Sequence, residues 1–284
     1  MTVRYAFRIL NVFAETPLGG NPLAVFEDAE GLDTATMQAL ALQFNLSETT
    51  FILPSAVATA QVRIFTPGFE MPFAGHPTLG TAQVVRNLKS CGDALTLEMR
   101  AGIIPVSASG DEWTLTAAQP KTKAPQASRA QLAQALGLGV DDIGESPLWV
   151  DTGSDQLVVP LASAEAVLRC QPDAALMQRH CGNGQRTLAY VWARNGENEA
   201  AVRFFFSKHG SIVEDPGTGS ACANLGGYLL ATGQRGPLAW TLRQGAQVGR
   251  PCALKLMLDA DGAIRVGGRV IEIGRGEIVL PREY

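Results

Sequence analysis

Three side chains in this sequence are of types that move protons, and each lies beside a turn or the mouth of an apolar segment. Glu48 stands in Asn45-Leu-Ser-Glu-Thr-Thr-Phe51, just ahead of the apolar run Phe51-Ile-Leu53. A carboxylate at the mouth of a strand loses part of its hydration, which raises its pKa toward the working range of a general acid/base. His76 precedes a proline, and Asp215 precedes a Pro-Gly turn and a helical pattern. Taken alone, each has a plainer reading: a surface carboxylate, a satisfied turn histidine, and an N-cap or Asx-turn aspartate.

Two helical stretches follow those turns. Thr78 to Leu88 carries Leu79, Ala82, Val84, Val85 and Leu88, and Ser220 to Leu230 carries Ala221, Cys222, Ala223, Leu225, Leu229 and Leu230. Apolar residues lie nearly all round each, so both helices are expected to be buried, as a sheet wrapped about a central helix would bury them. Each starts at a turn rich in glycine and hydroxyls, Thr218 and Ser220 among them. A helix N-terminus exposes unpaired N–H groups and partial positive charge, which suits a small, anionic, non-phosphorylated ligand.

The two stretches are parts of a weak internal repeat. Arg63-Ile-Phe65 … Ala74-Gly-His-Pro-Thr-Leu-Gly80 is echoed by Arg203-Phe-Phe205 … Glu214-Asp-Pro-Gly-Thr-Gly219. Each copy reads as strand, loop, x-Pro-x-x-Gly turn and apolar helix. About half the chain separates them, so two similar domains facing one another are expected. Elsewhere strands dominate. Val3, Tyr5, Phe7 and Ile9 alternate with Arg4, Ala6 and Arg8, and Leu95, Leu97 and Met99 and Leu254, Leu256 and Leu258 alternate likewise. Asp33 caps a predicted helix with Met37, Leu40, Ala41 and Phe44 on one face, and Ser128 with Gln131 forms a capping box before Leu132, Leu136 and a stop at Gly137. The polar, proline-bounded stretch Gln119–Gln126 is the candidate linker.

At 284 residues, 46% hydrophobic and 18% charged, the chain has the composition of a globular protein with room for two domains. A net charge of -4 argues against a general nucleic-acid or acidic-membrane binder. No apolar run is long enough for a membrane span, and the N-terminus lacks a signal-peptide core, so a cytoplasmic protein is expected. The odd number of cysteines, with no C-x-x-C pair and no H-E-x-x-H pattern, argues against a disulfide framework and a zinc cluster.

Four stretches together carry a family likeness: Gly20-Asn-Pro-Leu-Ala-Val-Phe26, Asn45–Phe51, Ala74–Gly80 and Glu214-Asp-Pro-Gly-Thr-Gly-Ser-Ala221. In that order and spacing, over essentially the full length, the chain resembles the PhzF (phenazine biosynthesis-like) family. The resemblance implies an α/β (α+β) fold of two pseudo-symmetric diaminopimelate epimerase-like domains, each a curled mixed sheet around a central helix. The expected limits are 1–118 and 127–273, with a last strand near 274–284 returning to the first domain. It implies no metal, no organic cofactor and a homodimer. It also implies an isomerase that moves a proton between ring carbons of a dihydro-hydroxyanthranilate. Glu48 matches the residue that removes and redelivers the proton. His76 and Asp215 match residues that hold substrate and assist, and Ser47, Gly75, Gly219 and Ser220 match substrate contacts. Gly217 departs from the alanine frequent in the family.

Alternatives stay open at this point: an epimerase or racemase using Glu48, His76 and Asp215 in place of thiols, or a non-catalytic binding module. Cys181-Gly-Asn-Gly184 looks like the catalytic stretch of diaminopimelate epimerase but falls outside the repeat's turn positions, so Cys181 is expected to be inert.

Overall fold

The computed structural model describes residues 2–281; residue 1 and residues 282–284, which the expected domain limits include, lie outside the described residues. Two compact units emerge, one formed by the chain up to Leu115 together with the residues from Gly267 onward, the other by Thr116–Val266.

The first unit contains β1 (Thr2–Val12), β2 (Asn21–Phe26), α1 (Thr34–Phe44), β3 (Glu48–Leu53), β4 (Ala60–Phe65), β5 (Glu70–Met71), α2 (Gly75–Lys89), β6 (Ala94–Met99), β7 (Gly102–Ser109) and β8 (Glu112–Thr116). Strands β2 and β3 run parallel, as do β4 and β6, and the pairs β1–β2, β3–β4, β4–β5, β6–β7 and β7–β8 run antiparallel. Helix α2 packs against β1, β2, β3, β4 and β6, so the sheet curls around it. Its Leu79, Ala82, Val84 and Val85 are fully buried. Gly80 lets it approach: a Cβ there would meet Leu23 Cδ2 at 2.5 Å and Val12 Cγ2 at 3.0 Å. Helix α1 covers another face, where Met37, Leu40 and Ala41 join Phe26, Phe51 and Phe65 in one apolar cluster.

The second unit repeats the plan with β9 (Lys121–Lys123), α3 (Arg129–Leu136), β10 (Leu148–Asp151), β11 (Asp155–Pro160), α4 (Ala164–Arg169), α5 (Ala174–His180), β12 (Leu188–Arg194), β13 (Glu199–Lys208), β14 (Ser211–Asp215), α6 (Gly219–Ala231), β15 (Leu238–Gln244) and β16 (Cys252–Leu258). Here β11 and β12 are parallel, β12 and β13 antiparallel, β13 and β14 a hairpin, and β13 and β15 parallel. That order matches β2, β3, β4, β5 and β6. Helix α6 packs against β9, β10, β11 and β16. The final strand, β17 (Ile264–Pro281), pairs antiparallel with β1 from Val12↔Val270 to Thr2↔Pro281, with a register shift at Ile9.

Two expectations need correction. Alternation in β1 put Arg8 on a polar face, but Arg8 is only 5% exposed. Its Nε meets Glu27 at 2.6 Å and its Nη1 meets Glu272 at 3.0 Å, and these two acids, one just past the end of β2 and one on β17, are what make burial of a guanidinium tolerable. The polar stretch Gln119–Gln126 is not a free linker, because Lys121–Lys123 forms β9 and pairs with Trp149, Val150 and Asp151. All three of its side chains are exposed, which is why an edge strand looked like a linker.

Candidate functional site

Glu48 is the first residue of β3, opposite Leu23 of β2. The helix α1 that precedes it ends at Asn45 in a left-handed conformation, φ 50°, and the short segment through Ser47 feeds the strand. His76 sits in the first turn of α2. Its Nε2 lies 3.4 Å from Glu48 Oε2, with the two side chains 6% and 16% exposed. Burial pushes the His76 pKa down to about 3, against the opposing effect of a hydrogen bond to the Pro22 backbone. Proline has only a carbonyl to offer, so the imidazole is the donor. Nε2 makes no hydrogen bond, which leaves Nδ1–H as the group bound to Pro22. The ring is therefore neutral with a bare Nε2 facing Glu48, and the contact is not an ion pair.

The placement of Pro22 depends on the turn before it. Gly20 has φ +78°, and a Cβ there would lie 2.7 Å from both the Ala14 Cβ and the Val12 carbonyl. Asn11, fully buried, donates to the Pro17 carbonyl at 2.7 Å and holds the same loop. The Gly-Asn-Pro motif thus presents a backbone acceptor to His76, a role that its side chains did not reveal.

In the second unit Asp215 ends β14, opposite Phe204 of β13. Alternation along the strand turns its neighbour Glu214 the other way, onto Arg203, with Nε–Oε1 and Nη2–Oε2 distances of 3.1 and 2.7 Å. The first unit has the counterpart, Arg63 on Glu70, at 2.8 Å for both bonds. The repeated arginines therefore brace the hairpin that leads into each central helix.

Gln244, at the end of β15 and only 3% exposed, fixes the turn after Asp215. Its Oε1 accepts from the Thr218 backbone N–H at 3.2 Å, and its Nε2 donates to the Asp215 carbonyl at 2.8 Å and to Thr218 Oγ1 at 3.0 Å. With that lone pair occupied, the Thr218 hydroxyl donates its proton to Asp215 Oδ2. Thr218 is the N-cap of α6, but its side chain makes no capping bond to the helix; it serves Asp215 instead. Gly219 is buried and Ser220 half-buried in the first turn of α6, while Gly75 and Ser47 are half-buried in the first unit. Glu48, His76, Gly75 and Ser47 thus belong to one unit, and Asp215, Thr218, Gly219 and Ser220 to the other. Sequence reasoning missed Gln244, since a glutamine at a strand end carries no signal of its own.

The thiols have a different character. Cys181 is fully buried, and burial pushes its pKa up to about 12; Cys222, inside α6, is pushed higher still. Neither is poised as a thiolate at neutral pH. Among the described residues, no group of three or more His, Cys, Asp or Glu is placed to hold a metal ion, and no helix is long and apolar enough to cross a membrane.

The model of the phenazine biosynthesis-like protein family matches residues 10–275. The chain belongs to that family. Within the phenazine biosynthesis-like proteins, an uncharacterized isomerase of Pasteurella multocida is 41% identical, over 99% of this chain and 96% of that protein. The trans-2,3-dihydro-3-hydroxyanthranilate isomerase of Pseudomonas fluorescens is 34% identical, over 96% and 98%. A PhzF-family crystal structure from Bacillus anthracis superposes with a TM-score of 0.86 over 97% of this chain and 99% of that one; at 24% identity this is a likeness of fold. The chain is accordingly an isomerase with the two-unit, curled-sheet fold of the phenazine biosynthesis-like family.

Proposed function

We propose that the protein moves a proton from one carbon to another of a small carboxylate-bearing substrate, without a cofactor, and that Glu48 is the general base and then the general acid. The observation that supports this most directly is the Glu48–His76 pair, 3.4 Å apart with the imidazole kept neutral. A carboxylate that has taken a proton from carbon needs somewhere to hold it briefly without losing it to water. A bare, uncharged Nε2 whose other nitrogen is committed to Pro22 meets that need as a hydrogen-bond acceptor: with the imidazole pKa pushed down to about 3, the proton stays on the Glu48 carboxyl, turned toward His76 and ready for redelivery. Asp215 and Ser220 are assigned to the substrate's amino and carboxylate groups, with Ser47, Gly75, Thr218 and Gly219 as the surrounding contacts. The high pKa of Cys181 argues against a thiol mechanism.

The test uses trans-2,3-dihydro-3-hydroxyanthranilate, the compound for which the Pseudomonas relative is named. Incubation in heavy water, followed by proton NMR, is expected to show isomerisation by the native protein and none by Glu48→Gln. Equal turnover by the two would remove Glu48 from the chemistry. Deuterium entering an α-carbon of an amino acid with inversion would establish an epimerase instead.

A further inference from the structure

A buried chain of side-chain amides runs from the β10–β11 turn to the first turn of α6. Asn224, in the middle of α6, is fully buried. Its Oδ1 accepts from the Thr152 backbone N–H at 2.9 Å and from the Thr152 hydroxyl at 2.7 Å. Its Nδ2 donates to the Ser154 carbonyl and to Gln156 Oε1, both at 2.8 Å. Gln156, 3% exposed, in turn places Nε2 2.9 Å from Ser220 Oγ.

The direction of this chain is fixed by its end points. A backbone N–H can only donate and a backbone carbonyl can only accept, so Thr152 and Ser154 decide which end of the Asn224 amide is oxygen. The Asn224 Nδ2 then requires an oxygen from Gln156, which leaves the Gln156 NH2 for Ser220. A hydroxyl that accepts from an obligate donor keeps its own proton to give. Gln156 is the only hydrogen-bond partner that the Ser220 hydroxyl has among the described residues. An amide network with every member satisfied is rigid, so the orientation is built in before any ligand arrives.

We propose that Gln156 and Asn224 are positioning residues that hold the Ser220 hydroxyl as a donor, selecting a substrate group that accepts, a carboxylate rather than an ammonium. This rests on the reading above that Ser220 touches the substrate. A donor facing an anion gives a charge-assisted bond, whereas a free hydroxyl could turn its lone pairs outward and serve a cation as well. The assignment explains why a polar residue occupies the middle of an otherwise apolar, buried helix.

The probe is 3-hydroxyanthranilate, the aromatic and non-isomerising counterpart of the dihydro compound, titrated calorimetrically into the native protein, Ser220→Ala, Gln156→Met and the double variant. Loss of a bond to a charged acceptor is expected to weaken binding about tenfold in Ser220→Ala. Gln156→Met is expected to weaken it several-fold, and the double variant no more than Ser220→Ala alone, since both act on one bond. Gln156→Glu keeps the shape but draws the serine proton inward; it takes the place of Gln156→Met if that variant fails to fold. Native-strength binding by a folded Gln156 variant, losses that multiply, a silent Ser220→Ala, or no binding by the native protein would each overturn the assignment. A lowered melting temperature with unchanged affinity would show Gln156 to be structural only and would also overturn it. The heavy-water assay with Glu48→Gln runs in parallel, so that Glu48-independent turnover sinks the isomerase reading without touching the binding cycle.

Discussion

His76 Nε2 faces Glu48 Oε2 across 3.4 Å, and the Pro22 carbonyl on the far side of the imidazole dictates which nitrogen is bare. A backbone atom of β2 thereby sets the protonation pattern of a side chain on α2 that addresses a side chain on β3. Three neighbouring elements of one sheet-and-helix unit meet at this point, and the tightly packed Gly80 keeps α2 close enough for them to do so.

Glu48→Gln should abolish proton transfer while leaving the fold intact. General acid/base groups contribute about 10²–10⁴ in rate, so turnover should fall at least 100-fold. Thermal melting measured beside the kinetics decides the matter, because a large loss of stability would mark Glu48 as structural.

His76 should leave a signature in acid stability. Its folded pKa, about 3, lies below the ordinary value of 6.5, so between those values the unfolded chain binds a proton that the folded chain does not. Stability from this residue is complete above about pH 6.5 and declines as the pH falls toward 3, by about 1.4 kcal/mol per unit within that window. Urea unfolding at pH 8 and pH 5 should show the native protein losing about 2 kcal/mol more than His76→Gln does. Parallel losses would mean that His76 is not buried neutral.

Gln244→Leu removes the partner of the Thr218 N–H and of the Asp215 carbonyl. Leaving buried polar groups unsatisfied costs about 1–3 kcal/mol, and the freed Thr218 hydroxyl no longer has reason to point at Asp215. A lower urea midpoint together with a several-fold higher KM is expected. A KM unchanged from the native value would confine Gln244 to stability.

Cys181→Ser should leave turnover within about twofold of the native rate, because a thiol that burial pushes to a pKa of about 12 supplies no thiolate at neutral pH. Loss of activity without loss of fold would revive the thiol mechanism.

Much of this architecture was legible in the residues. The Asp33 cap and the Ser128–Gln131 capping box start α1 and α3 where the local pattern places them, and Gly137 ends α3 with φ 67°. Helices apolar on every side are central helices, because only burial makes such a composition stable in water. What stayed hidden depends on contacts distant in the chain. Arg8 is buried because Glu27 and Glu272 come to it, and no periodicity within β1 contains that. The Pro22 carbonyl is invisible because every residue has one. Asn224 did carry a signal, as a lone amide in an apolar helix, but its meaning depends on Thr152, Ser154 and Gln156, about seventy residues earlier.

Pairing β17 with β1 joins the two ends of the described chain, Thr2 lying opposite Pro281. On a ribosome that adds about 5–20 residues per second, β1 finds β2 early, but its other neighbour, β17, is made only after every other described strand. The second unit ends at Val266, only three residues into β17, and is free to complete its sheet earlier. Until then the nascent first unit presents an open strand edge, the kind of surface that chaperones cover and that aggregates when they do not. The unit bearing Glu48 therefore starts ahead of the other along the chain and receives its last strand after it.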